Sequence, residues 1–139
     1  MNKIERNRRN MQRFMTCINT NDKNLAEELI DAAAKFTTPV SDKPLYGGAG
    51  YLSVVDFMRQ SFSDIRWEIV DMSAENDKIA VHWTCSGTHD GNFMGLAPTG
   101  KKFSFSVMNF YYFNDEGKIV NDVAAEGLFG LLNALNLIK

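Results

Sequence analysis

Apolar residues recur at helical spacing in the first half of the chain. Between residues 2 and 19 they lie three or four positions apart, from Ile4 to Ile18, which predicts an amphipathic helix. A second helix is expected after Asp22 or Asn24, because either side chain can cap it. Residues 37–50, TTPVSDKPLYGGAG, hold two prolines and three glycines and predict a loop. Helical spacing then returns from residue 51 to residue 62.

The spacing changes to alternation after residue 64. Ile65, Trp67 and Ile69 alternate with charged residues, and the apolar residues from 79 to 85 alternate with small or polar ones. A third strand is expected at 103–113 and a fourth from 118 to about 125, joined by the turn sequence NDEG. The apolar segment LFGLLNALNLI ends the pattern as a short helix or tail. Three helices followed by antiparallel strands predict one α+β domain spanning residues 1–139.

Composition excludes several functional classes. A net charge of −2 is poorly suited to nucleic acid, whose binding requires many neutralised phosphates. No apolar run approaches the roughly 20 residues of a membrane helix, and the N-terminus lacks the apolar segment of a secretory signal. Cys17 and Cys85 are expected to be reduced core thiols. We therefore expect a cytoplasmic protein with neither a nucleic-acid nor a membrane partner.

The stretch SGTHDGNFMGLAPTG, residues 86–100, is rich in glycine and holds one of the two histidines. It has no lysine after paired glycines and does not lead into a helix, so it is not a phosphate-binding loop. Its turn residues lie between two alternating segments. We expect it to connect two strands, with His89 at most at the rim of a site.

Several motifs resemble one family. The segments GTHDGNFMGLAPTGKKF, GKIV and LLNALNLI, in this order, are similar to those of the SnoaL-like polyketide cyclases. The resemblance is close from about residue 60 onward. It implies the cone-shaped α+β fold of nuclear transport factor 2-like proteins. In that fold a curved antiparallel sheet and three N-terminal helices enclose one deep pocket.

The sequence departs from the family where catalysis is expected. The family pattern after Gly-Lys-Ile-x is Glu-x-Trp-x-x-x-Asp, and its Asp is the acid/base residue. Here Asn121, Val123 and Gly127 occupy those three positions. Glu126 is one residue from the missing carboxylate and is our candidate catalytic residue, because burial among apolar neighbours would raise its pKa toward neutrality. The alternative is a glutamate at the N-terminus of the last helix, stabilised by the helix dipole.

Several polar and aromatic residues are candidates for ligand binding. Asn109 interrupts an apolar row of the third strand, and Asn121 has the same parity as Ile119. The Tyr111 hydroxyl could donate to a developing enolate. The remaining candidates are aromatic residues, which could equally serve the core, and one histidine, which could equally be structural: Trp83, Trp67, Phe93 and His89.

Two further features bear on metals and assembly. His82 is expected on the outer face of its strand and His89 on the opposite face, so we predict no metal site and no other cofactor. The third strand is apolar on both faces: Met108 and Phe110 lie on one, Phe105 on the other. Helices can cover only one face, so we expect a homodimer.

These features favour a small cofactor-independent enzyme of the cyclase, isomerase or dehydratase kind. It would act by acid/base chemistry on an apolar carbonyl compound. The alternative is a non-catalytic module of the same fold that binds a small apolar molecule. A third possibility is a structural dimer subunit whose pocket is filled by side chains. A Glu126 side chain that points into an enclosed cavity, with a polar partner opposite, would distinguish the enzyme from the binding module.

Overall fold

The computed structural model describes residues 1–38, 41–125 and 127–136. The helices are α1 (Lys3–Thr20), α2 (Lys23–Leu29), α3 (Gly47–Ser61) and α4 (Gly127–Ala134). The strands are β1 (Lys35–Thr38), β2 (Ser41–Tyr46), β3 (Arg66–Glu75), β4 (Lys78–Thr88), β5 (Lys102–Phe113) and β6 (Ile119–Ala124). One antiparallel sheet has the order β3-β4-β5-β6, and a second sheet consists of β1 and β2. The predicted α+β class is confirmed.

The N-terminal half differs from prediction in one place. The first helix is confirmed, and Asp22 caps the second by accepting from the Leu25 backbone N–H at 3.0 Å. The prediction of a loop at residues 37–50 is wrong, because β1 and β2 form a hairpin and α3 already begins at Gly47. Pro44 is compatible with β2 because this strand has a partner on one side only.

The core lies between the helices and the inner face of the sheet. Alternate residues of β4 point inward, and each of them is almost completely buried: Ile79, Val81, Trp83 and Cys85. Phe14 of α1 contacts three aromatic rings edge-on, those of Tyr51, Trp83 and Tyr111, with centroids 5.1–6.4 Å apart. Such contacts add roughly 0.5–1.5 kcal/mol each beyond the burial of area. Phe14 therefore fixes the relative positions of α1, α3 and the sheet.

Two β-bulges decide which residues face the core. In β3 the pairing shifts between Ile69 and Asp71, and Val70 is the extra residue. In β6 the pairing shifts by one between Ile119 and Asn121, and Val120 is the extra residue. An extra residue moves every later side chain to the opposite face. The second bulge determines the composition of the site described below.

The glycine-rich stretch connects β4 and β5, as predicted. Asp64 accepts from the backbone N–H and the hydroxyl of Thr88 at 2.7 and 2.8 Å, which anchors the start of the loop. The hydrogen bonds from Thr88 hold the pKa of Asp64 below its usual range. At the tip, Met94 and Gly95 both have positive φ, as a tight hairpin turn requires.

Gly48 allows α2 and α3 to pack with backbones in contact. A Cβ at this position would lie 2.7 Å from the Ala26 carbonyl carbon and 2.8 Å from its oxygen. We expect Gly48→Ala to lower the free energy of unfolding by about 1–3 kcal/mol, because the helices must separate. Urea denaturation measures this change. An unaltered midpoint would show that the two helices do not pack this closely.

Candidate functional site

A carboxyl group lies on the inner face of the sheet at the end of β6. The bulge at Val120 turns Asp122 inward, where it pairs across the strands with Tyr111 of β5. Tyr111 in turn pairs with Ile79 of β4, which is fully buried. Asp122 therefore lies at the edge of the core.

Two side chains donate hydrogen bonds to this carboxyl group. Asn109 Nδ2 donates to Asp122 Oδ1 at 2.6 Å, and the Tyr51 hydroxyl donates to Asp122 Oδ2 at 3.1 Å. Burial raises the pKa of Asp122, and the hydrogen bonds from Asn109 and Tyr51 only partly oppose that effect. A carboxyl group with a raised pKa can take up and release a proton nearer to neutrality than an exposed aspartate can.

Two buried tyrosines lie next to Asp122: Tyr51 is hydrogen-bonded to it and Tyr111 pairs with it across the strands. Trp83 Nε1, which can only donate, bonds the Tyr111 hydroxyl at 3.2 Å. Tyr111 and Tyr51 both contact Phe14 edge-on. Tyr51 donates its proton to Asp122 Oδ2. Burial raises the pKa of both tyrosines well above the usual value, so both remain neutral donors.

Asp122, Asn109, Tyr51, Tyr111 and Trp83 form a polar cluster. Along β5, from Tyr111 toward Phe105, the inner face of the sheet becomes increasingly exposed. Tyr111 is 2% exposed, Asn109 and Val107 are half-buried, and Phe105 is 51% exposed. Ala124, which pairs with Asn109, is also exposed. The polar cluster thus lies at the inner end of an apolar surface that opens to solvent.

Three of the predicted ligand-binding residues come together here: Asn109, Tyr111 and Trp83. Trp67 lies on the same face, paired with Cys85, and packs against the core near Val107. The sequence analysis therefore identified part of this cluster.

The other predicted residues lie elsewhere. His89 Nδ1 accepts from the Thr99 backbone N–H at 3.3 Å, and the His89 ring packs on Phe62, as does Phe93. Asn121 is exposed on the outer face, because the bulge reverses the parity that its alignment with Ile119 predicted. His82 lies on the outer face as expected, 3.1 Å from the Ser106 hydroxyl. Glu126 lies outside the described residues.

Sequence reasoning missed Asp122 and Tyr51. Unbroken alternation from Ile119 would place Asp122 on the outer face. Its inward orientation could have been predicted only by recognising the bulge at Val120. Tyr51 begins the helical pattern of α3 and reads as a core aromatic. Among the described residues, no group of three histidine, cysteine or acidic side chains is arranged to hold a metal ion. None of the described helices is long and apolar enough to span a membrane.

The raised pKa of Asp122 predicts a specific pH dependence of stability. The folded state binds this proton more tightly than the unfolded state does, so Asp122 lowers stability as the pH rises from about 4 through its folded pKa. Relative to Asp122→Asn, we expect the wild-type protein to lose unfolding free energy across this range. Urea titrations at several pH values measure the difference. A difference that is constant, or that grows with pH in favour of wild type, would contradict a raised pKa.

The helices and the curved sheet are those of nuclear transport factor 2-like proteins. The family model of the SnoaL-like polyketide cyclases matches residues 8–135. The chain belongs to this family. None of the curated proteins matches its sequence.

Solved structures show the same fold. IdmH of Streptomyces antibioticus, a proposed polyketide cyclase, is 25% identical, with a TM-score of 0.74 over 94% of this chain and 98% of its own. AclR of Streptomyces galilaeus, a proposed hydroxylase, is 23% identical, with a TM-score of 0.71 over 98% and 99%. A SnoaL-like protein of Jannaschia is 15% identical, with a TM-score of 0.76 over 100% and 97%. A shared fold does not by itself fix the reaction.

Proposed function

We propose that the protein is a cofactor-independent enzyme that uses Asp122 as acid and base on an apolar carbonyl compound. The observation that carries this proposal is a carboxyl group with a raised pKa, held by Asn109 and Tyr51 at the inner end of an apolar surface. In this proposal Asp122 takes the role of the catalytic Asp that the family has at the position of Gly127. The catalytic role of Glu126 remains a prediction from the sequence.

In this mechanism the ionised Asp122 takes a proton from the carbon next to a carbonyl group. The electron pair of that C–H bond then forms an enolate, and neutral Asp122 returns the proton to this enolate or to a new centre. Tyr51 keeps the carboxyl group oriented throughout, because its hydroxyl stays protonated. Positioning of this kind lowers the barrier by holding the base at the reacting atom.

The proposed ligand is a flat apolar molecule with a few polar groups. Phe105 and Val107 offer an apolar surface beside Asn109, and Trp67 packs close to Val107. Apolar walls with few polar groups are typical of small-molecule sites. The second candidate, a binding module without chemistry, is favoured by Asn121, Val123 and Gly127, which replace the family's Glu, Trp and Asp.

We also propose that the protein is a homodimer formed through the outer face of the sheet. Met108, Phe110 and Val123 are 58%, 45% and 47% exposed there. A groove of about 460 Å³ crosses the same face, with Ala80 and His82 among its lining residues. An apolar sheet face of this kind usually marks an interface. The cytoplasmic location remains a prediction from the sequence.

The enzymatic proposal is tested with carbonyl compounds that carry an aromatic or alicyclic ring. Each compound is incubated in D₂O with the protein, and deuterium uptake at the carbon next to the carbonyl is followed by mass spectrometry. We expect uptake faster than in buffer for at least one compound. Binding detected by native mass spectrometry without faster uptake for any bound compound would favour the binding module instead.

A further inference from the structure

The carbonyl oxygen of the Asn109 side chain is buried without a hydrogen-bond partner among the described residues. The same amide donates through Nδ2 to Asp122 Oδ1 at 2.6 Å. A buried acceptor without a partner destabilises a protein, so its presence beside a titrating group requires an explanation. Asp122 is a carboxyl group that alternates between a form without a donor and a form with one O–H.

The described neighbours of Asp122 all donate to it. A proton on Oδ2 would face the Tyr51 hydroxyl, which donates there, and a proton on Oδ1 would face Asn109 Nδ2. Burial keeps the Tyr51 hydroxyl neutral, and this hydroxyl donates its one proton to Asp122 Oδ2. Asn109 carries an acceptor and a donor of similar size on one planar group, and a half-turn about its terminal bond exchanges them.

We propose that the Asn109 amide reverses when Asp122 gains a proton. With the carboxylate, Nδ2–H donates to Oδ1; with the carboxylic acid, Asn109 Oδ1 accepts the Asp122 O–H. The contact between the two side chains is therefore kept in both states. The inference rests on the proposed acid/base role of Asp122, although its test needs no turnover.

This reversal assigns the proton to one oxygen of the carboxyl group. Oδ2 stays bonded to Tyr51 on the side of the buried Tyr111, whereas Oδ1 lies against Asn109, on the side where β5 becomes exposed. The proton exchanged with a substrate is thus carried on Oδ1. Asn109 is a positioning residue that holds this proton until a substrate atom replaces the amide.

In the part of the chain that the structure describes, two tyrosines are the titratable groups that act on this pair. Tyr51 reaches Asp122 from α3 and Tyr111 lies opposite it on β5, and burial keeps both neutral. The nearest residues of β4 on this face, Ile79 and Val81, are apolar. The following experiment observes the Asp122 carboxyl group itself.

The first test compares two variants that each remove one hydrogen bond to Asp122. The carboxyl ¹³C signal of Asp122 is titrated in wild type, Tyr51→Phe and Asn109→Leu. Tyr51 donates to Oδ2 in both forms, but its bond to the charged carboxylate is the stronger one, so Tyr51→Phe should raise the pKa of Asp122 by about 1. Asn109 changes from donor to acceptor and so stabilises the acid as well as the carboxylate, and Asn109→Leu should therefore raise this pKa by less than half as much. An equal or larger rise in Asn109→Leu would show a fixed donor and overturn the proposal.

The second test uses the unaltered protein and stays decisive if a variant fails to fold. Neutron diffraction on crystals at pH values above and below the titration midpoint locates the deuterons of Asn109. We expect Nδ2 against Asp122 above the midpoint and Oδ1 against it below. The same orientation at both pH values would contradict the reversal. A protein that shows the reversal but no deuterium uptake with any carbonyl compound would refute the enzymatic proposal alone.

Discussion

Asp122→Asn should lower the rate of catalysed deuterium uptake by about 10²–10⁴-fold, the usual range for loss of a general base. Asparagine keeps the size of the side chain but cannot take a proton from carbon. The rate is measured by mass spectrometry at neutral pH with the most reactive carbonyl compound.

Asp115→Asn is the matched control, because Asp115 is an exposed residue of the turn between β5 and β6 and undergoes the same chemical change. It should keep the wild-type rate. Circular dichroism of both variants checks that the fold is intact. Unchanged uptake in a folded Asp122→Asn protein would remove Asp122 from the mechanism and return attention to Glu126.

Phe110→Glu should convert the protein from a dimer into a monomer. Phe110 lies on the outer face of β5, 45% exposed, with Lys78 Nζ 5.7 Å from its ring centre. A carboxylate at the centre of an apolar interface loses its hydration, and an ion pair with Lys78 offsets only part of that cost, which is several kcal/mol. Light scattering at micromolar concentration should change from twice the 15.7 kDa chain mass to that mass.

Leu96→Glu introduces the same charge at an exposed apolar residue on the loop between β4 and β5. It should remain dimeric. A monomeric wild-type protein, or a dimer that persists in Phe110→Glu, would show that the outer face is not the interface.

The fold could be predicted from the sequence because its signals are local and repeated. Alternation between Ile79 and Cys85 defines β4, and helical spacing defines α1. The β1–β2 hairpin was missed because the prolines and glycines of residues 37–50 indicate a loop. The strands form through pairing between the two arms of the hairpin, which no local residue pattern shows.

The site could be predicted only in part. Asn109 was identified because a polar residue interrupts an apolar row, a signal contained in β5 alone. Asp122 depends on the pairing of β6 with β5, since a single extra residue, Val120, reverses its face. Tyr51 depends on the packing of α3 onto the sheet, and no residue spacing reports that contact. Assembly of a carboxyl site from three elements is therefore a property of the tertiary structure.

The most direct test of the account compares two titrations of the same group. The Asp122 carboxyl ¹³C signal is followed with pH in the free protein, and the pH dependence of kcat/KM for deuterium uptake is measured under the same conditions. We predict a midpoint above 3.8 for Asp122 and an ascending limb of the rate profile with that midpoint. A midpoint at or below 3.8, or a rate profile without that limb, would contradict Asp122 as the acid/base residue.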